Sequence, residues 1–92
     1  MDASLNESML LDVKVSFRKE RLETGPKKPL EHYRTTYTVA GNLPLDDLKS
    51  LLKTCAEKDL TLRTEFGQAK VRFENLDYKA DSGDFLITLL EE

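Results

Sequence analysis

A single stretch of helical periodicity, LPLDDLKSLLKTCAEKD (residues 43–59), interrupts a chain that otherwise repeats every two residues. Leu45, Leu48, Leu52 and Cys55 recur at spacings of three, four and three, with Leu51 beside them. That spacing predicts an amphipathic helix of about three to four turns with those residues on its buried stripe. Pro44 suits a first helical position. Asp46 and Asp47 in the opening turn, and Lys53 and Lys58 toward the other end, carry the signs that favour the helix dipole.

Everything else apolar follows period two, which is the pattern of half-buried strands. Leu11, Val13, Val15 and Phe17 alternate with Asp12, Lys14, Ser16 and Arg18, and Tyr33, Thr35, Tyr37 and Val39 alternate with His32, Arg34, Thr36 and Thr38. A turn centred on Gly25 would oppose Phe17 with Tyr33, Val15 with Thr35, Val13 with Tyr37 and Leu11 with Val39, so that one buried face fixes the register. Gly41 and Asn42 end the second strand. After the helix, Leu60, Leu62, Thr64 and Phe66 form one alternation and Ala69, Val71 and Phe73 another, with Gly67-Gln68 as a tight turn between them. The turn-rich DYKADSGD then leads to FLITLL (residues 85–90), whose Leu86 and Leu90 make the second face apolar as well. Such a strand is either central and covered twice or part of an interface.

The expected fold class is therefore α+β: a single small domain in the order ββαβββ, a mostly antiparallel sheet with one amphipathic helix packed on one face. Residues 1–8 read as a flexible N-terminus and residues 9–92 as the domain. The core-facing pattern stops at Phe17 and resumes at Tyr33, with only Leu22 and Leu30 apolar between them. Residues 18–32 are thus expected to project as a basic loop or arm on a long first hairpin, bent near Gly25-Pro26.

Length and composition bound the rest. Ninety-two residues suffice for one core. No run approaches the roughly 20 apolar residues of a membrane span, and MDASLNESMLL lacks the basic and apolar regions of a secretory signal. One cysteine, Cys55, leaves no intramolecular disulfide, and a reducing, cytoplasmic setting is expected. Phosphate-binding glycine loops, nucleophile elbows, zinc-protease helices and calcium loops are absent. Cys55 belongs to the helix stripe as a buried thiol, His32 has no second ligand nearby, and Asp77, Asp81 and Asp84 lack calcium-loop spacing. No catalytic residue, metal, cofactor or small-molecule substrate is therefore expected, and the chain reads as a non-enzyme.

Charge is the remaining signal. Residues 14–34 hold seven Lys and Arg against three Glu, net +4, whereas the remainder holds seven against fourteen, net -7. The expected partner-binding residues are Arg18, Lys19, Arg21, Lys27, Lys28, His32, Tyr33 and Arg34, with Leu86 and Leu90 as an oligomer interface. They point to a protein–protein interaction or assembly module, meeting a partner or its own copies through the basic arm and the strand at 85–90. A nucleic-acid-binding accessory protein using the same arm ranks below it, because the chain as a whole is acidic, with a pI of about 5.2. A small enzyme whose site is assembled only in the fold is the third reading, and solubility of a long hairpin is the reading without function.

Overall fold

The computed structural model describes residues 1–22 and 32–92, and of Arg21, Leu22 and His32 the backbone alone. It contains strands β1 (Ala3–Leu5), β2 (Ser8–Leu10), β3 (Lys14–Leu22) and β4 (His32–Asn42), helix α1 (Leu45–Cys55), and strands β5 (Leu60–Thr64), β6 (Gly67–Lys79) and β7 (Asp84–Glu91). All seven strands join one antiparallel sheet in the order β2-β1-β5-β6-β7-β4-β3. This is a small domain of mostly antiparallel sheet with one helix, and it gains an N-terminal hairpin that the alternation did not reveal.

That hairpin corrects the expectation of a loose N-terminus. Ala3, Leu5 and Leu10 are buried in the core, and β1 pairs with β5. Asn6 anchors the turn from a positive φ of 53°. Its side-chain amide donates to Glu57 Oε2 and to the Asp59 carbonyl, each at 2.7 Å, and its Oδ1 accepts the Thr61 N–H at 2.8 Å. Asparagine tolerates the left-handed region better than most residues, and here it also ties the turn to the chain leaving α1.

The N-terminal hairpin also sets the helix face. Leu48, Leu51, Thr54 and Cys55 are buried, whereas Leu45 and Leu52, expected on the stripe, are exposed. Thr54 hydrogen-bonds Ser8 of β2 through their hydroxyls at 2.6 Å. The helix is thus rolled toward β2, an element the stripe assignment did not include. Pro44 is the N-cap rather than the first helical residue.

Three further expectations shift. Asp12, at φ 53°, breaks the first alternation, so Leu11 is exposed and β3 begins only at Lys14. The β3–β4 register is four residues off the expected one: Val15 faces Val39 and Phe17 faces Tyr37, and the ladder runs on to Leu22 and His32. Residues 18–22 are therefore strand rather than loop, because backbone pairing does not require apolar side chains where a face meets water. Lys27, Lys28, Leu30 and the Gly25-Pro26 bend lie outside the described residues.

The β5–β6 turn is Glu65-Phe66, not Gly67-Gln68, since Thr64 pairs with Gly67. This puts Phe66 at the turn tip instead of on the core face. Strand β6 runs through Tyr78 because a bulge between Phe73 and Asn75 switches the alternation, so that Leu76 and Tyr78 join Val71 and Phe73 on the core side. Strand β7 is central, between β6 and β4. Phe85, Ile87 and Leu89 fill the core, while Leu86 and Leu90 lie on the opposite face beside Ala40 and Thr36.

Candidate binding groove

Helix and sheet are mismatched in length. Eleven helical residues span about 16 Å, whereas the thirteen residues of β6 extend about 43 Å. One helix cannot cover the whole face. Beyond it the same face opens into a groove of about 510 Å³.

Its walls follow from the register. Val15, Phe17 and Lys19 of β3 and Thr35 and Tyr37 of β4 make one side, and Leu62, Phe66 and Ala69 of the β5–β6 hairpin make the other, with Met1 at the rim. Strands β3 and β5 are four places apart in the sheet, about 19 Å if it were flat. Lining one groove from both requires the sheet to curl around it.

Two aromatic rings stand in the solvent across this opening. Phe17 is 70% exposed and Phe66 83% exposed. Phe17 packs obliquely on Tyr37, ring centres 6.4 Å apart at 46°, a geometry favourable to aromatic pairs. The charged groups of the lining are the Lys19 ammonium and the Glu91 carboxylate. Burial and then the Glu91 charge hold the Tyr37 phenol above its ordinary range, so at neutral pH it is a hydrogen-bond donor rather than a base. The groove thus offers apolar and aromatic surface with one charge of each sign.

The expected site residues divide. The structure brings Lys19 into the groove and Tyr33, 58% exposed, onto the same face two residues beyond Thr35. Arg18 and Arg34 point to the other face, where Arg18 pairs with Glu20. Arg21 and His32 are placed opposite Tyr33 and Leu22 by backbone register only, and Lys27 and Lys28 are outside the described residues. Leu86, 39% exposed, and the half-buried Leu90 sit away from the groove on the uncovered face. Phe17, Phe66, Tyr37 and Glu91 were missed as site residues, Phe17 and Tyr37 because their alternation read only as a core face. Phe66 lies in its own strand's alternation, and only the position of the turn separates tip from core.

Elsewhere the polar groups serve the fold. Asn42 donates to the Ser82 carbonyl at 2.7 Å and to Asp84 Oδ1 at 3.1 Å, and Ser82 donates to Asp84 Oδ2 at 3.1 Å. These bonds hold the Asp84 carboxyl below its usual range. Burial pushes the Cys55 thiol up to about 11. Among the described residues no group of three or more His, Cys, Asp and Glu converges, and no helix is long and apolar enough to cross a membrane. Compared with known protein families, characterised proteins and solved structures, the chain matches none.

Proposed function

We propose that this chain is a non-enzymatic protein-interaction module. The groove receives apolar side chains of a partner protein, and the basic β3–β4 hairpin beside it supplies charge. The observation that carries the reading is the exposure of Phe17 and Phe66 on opposite walls of one open groove. Aromatic side chains left in water at a concave site are the usual anchors of protein contacts. Arg18, Lys19, Tyr33 and Arg34, continued by Arg21, Lys27, Lys28 and His32, would guide an acidic partner to it. The β4–β7 ladder ends at Thr36 and Leu90 while β3–β4 pairing continues to Leu22 and His32, which supports a hairpin that projects past the sheet. Leu86 and Leu90 would serve a second contact in assembly. A cytoplasmic setting, in which Cys55 stays reduced, belongs to the same reading.

Selection of random peptides on the protein, repeated on the Phe17→Ser/Phe66→Ser double variant, tests it. Both substitutions are at exposed positions and should leave the urea midpoint nearly unchanged. The reading expects peptides that bind the wild type and lose most of their affinity for the double variant. Enrichment that ignores both rings, or no enrichment, refutes it. So does tight binding of a mixed-sequence single-stranded oligonucleotide that falls steeply with salt, which would favour the nucleic-acid alternative.

A further inference from the structure

We infer that the partner binds as an extended acidic segment that adds to the free edge of β3 as a further antiparallel strand. This rests on the protein-interaction reading and gives it a mode and a partner chemistry.

Strand β3 ends the sheet and pairs only with β4 among the described residues, so along its nine residues the backbone N–H and C=O groups of every second residue face solvent on its other side. At the opposite end of the sheet β2 has only three residues. A long free edge is a template for another strand unless something guards it. On β3 the alternating side chains make that template specific. Val15, Phe17 and Lys19 line the groove, and Lys14, Ser16, Arg18 and Glu20 face the other way.

An added strand lays its own side chains beside these, one for one. Apolar residues opposite Val15 and Phe17 would drop into the groove. Carboxylates would suit the places opposite Lys14 and Arg18 on the outer face and opposite Lys19 on the groove face. Among the described residues Arg18–Glu20 is the one ion pair, which leaves Lys14 and Lys19 without a carboxylate. Read from Lys19 back to Lys14, the complementary strand is Glu-Glu-Val-Thr-Val-Glu.

A second copy fits this edge less well. Antiparallel self-pairing that keeps the faces continuous must centre on a residue. Centring on Ser16 sets Lys14 against Arg18, and centring on Arg18, Lys19 or Glu20 sets that charge against itself. Of the centres that pair more than three residues of the strand, only Phe17 avoids like charges, with Lys14 facing Glu20. Even there each copy contributes Lys14, Arg18 and Lys19 against one Glu20, so two positive edges meet. An acidic partner removes that repulsion.

The test titrates the full chain with a labelled Glu-Glu-Val-Thr-Val-Glu peptide carrying Gly-Ser flanks, followed by fluorescence anisotropy. Two backbone N-methylated forms, methylated at odd or at even positions, and the charge-reversed Lys-Lys-Val-Thr-Val-Lys peptide serve as controls. Strand addition expects one N-methyl phase to abolish binding and the other to be tolerated, because alternate residues aim their N–H groups at the edge. It also expects charge reversal, or the variant Lys14→Glu/Lys19→Glu, to weaken the acidic peptide by about 10-fold or more. Indifference to both N-methyl phases overturns the inference while leaving the groove reading intact. Absence of binding up to about 1 mM, while peptides that need Phe17 and Phe66 bind, also overturns it. A dimer in sedimentation that Ser16→Pro dissolves overturns it in favour of a second copy. N-methyl sensitivity that persists in the Phe17→Ser/Phe66→Ser variant supports the edge and counts against the groove.

Discussion

Replacing Leu51 by Ala should destabilise the domain severely, and the same change one residue later should hardly matter. Leu51 is 2% exposed and Leu52 42% exposed. Removing three carbons from a fully buried leucine loses about 2.4 kcal/mol of transfer free energy at roughly 0.8 kcal/mol per carbon. The cavity left under the helix raises the total to about 3–5 kcal/mol. Leu52 leaves no cavity because water already reaches it, and alanine's better helix propensity returns a few tenths of a kcal/mol, so about 1 kcal/mol or less is expected. Urea unfolding of the two variants, with equal m-values, reads the difference directly. In a domain of this size it corresponds to a gap of roughly 10–30 °C in Tm, at about 4–8 °C per kcal/mol. Equal losses within about 0.5 kcal/mol, or a larger loss at Leu52, would refute the rolled helix and with it the hairpin that causes the roll.

Three other outcomes are expected. Gly41→Ala places a Cβ 2.8 Å from Val13 Cγ1 and 3.0 Å from the Phe85 ring, both buried; overpacking of about 1–3 kcal/mol should exceed the gain of about 0.4–1 kcal/mol from a stiffer unfolded chain, and a variant as stable as wild type in denaturant would sink this. Cys55, with its thiol raised to about 11 from 9.0, holds about 100-fold less thiolate at neutral pH, so a disulfide reagent should label it at least that much more slowly in the native protein than in urea. Glu91→Gln should lower the Tyr37 pKa, since the neighbouring carboxylate raises it; the neutral phenol favours the fold below the unfolded tyrosine pKa of about 10, this contribution fades as pH rises through the higher folded value, and phenolate absorbance in a pH titration would show no change if Glu91 does not act on Tyr37.

Most strand faces were legible in the sequence, and neighbours were not. A shift of four residues in the β3–β4 register keeps every side chain on its face, because the strand period is two. Val15 and Phe17 therefore point as the alternation says, although each meets a different partner. The bulge at Phe73/Asn75 shows the same limit: one extra residue reverses the parity, and DYK, turn-like in composition, becomes strand. The N-terminal hairpin was illegible because three-residue strands are too short to display a period, and its absence misdirected the helix stripe. Of the site, the basic hairpin was visible as charge. The groove was not, since it arises from sheet curvature and from a helix shorter than the strands it packs on.

The charges on β3 taken alone favour no function, because lysine and arginine on an edge strand also keep sheets from pairing with one another. Phe17 separates the two explanations. A guarded edge places charge or proline at its middle and keeps apolar rings away, since an exposed ring is what another strand would bury. Here Arg18 holds the centre of the nine-residue edge, but next to it Phe17 stands on the other face, 70% exposed, with Val15 and Lys19 on either side of it. Protection and invitation are then built from the same residues: the cations repel a second positive edge, and the ring rewards a strand that brings carboxylates with its apolar side chains. The discriminating substitution is Phe17→Lys. If β3 is only a guarded edge, the change extends its charge and should leave every peptide interaction as it was. If the edge is a docking strand, Phe17→Lys should preserve the fold, retain attraction for carboxylates, and still lose most affinity for the acidic peptide, because nothing apolar is left opposite its central valine. Unchanged affinity in that variant would show that charge alone holds the peptide and that Phe17 takes no part.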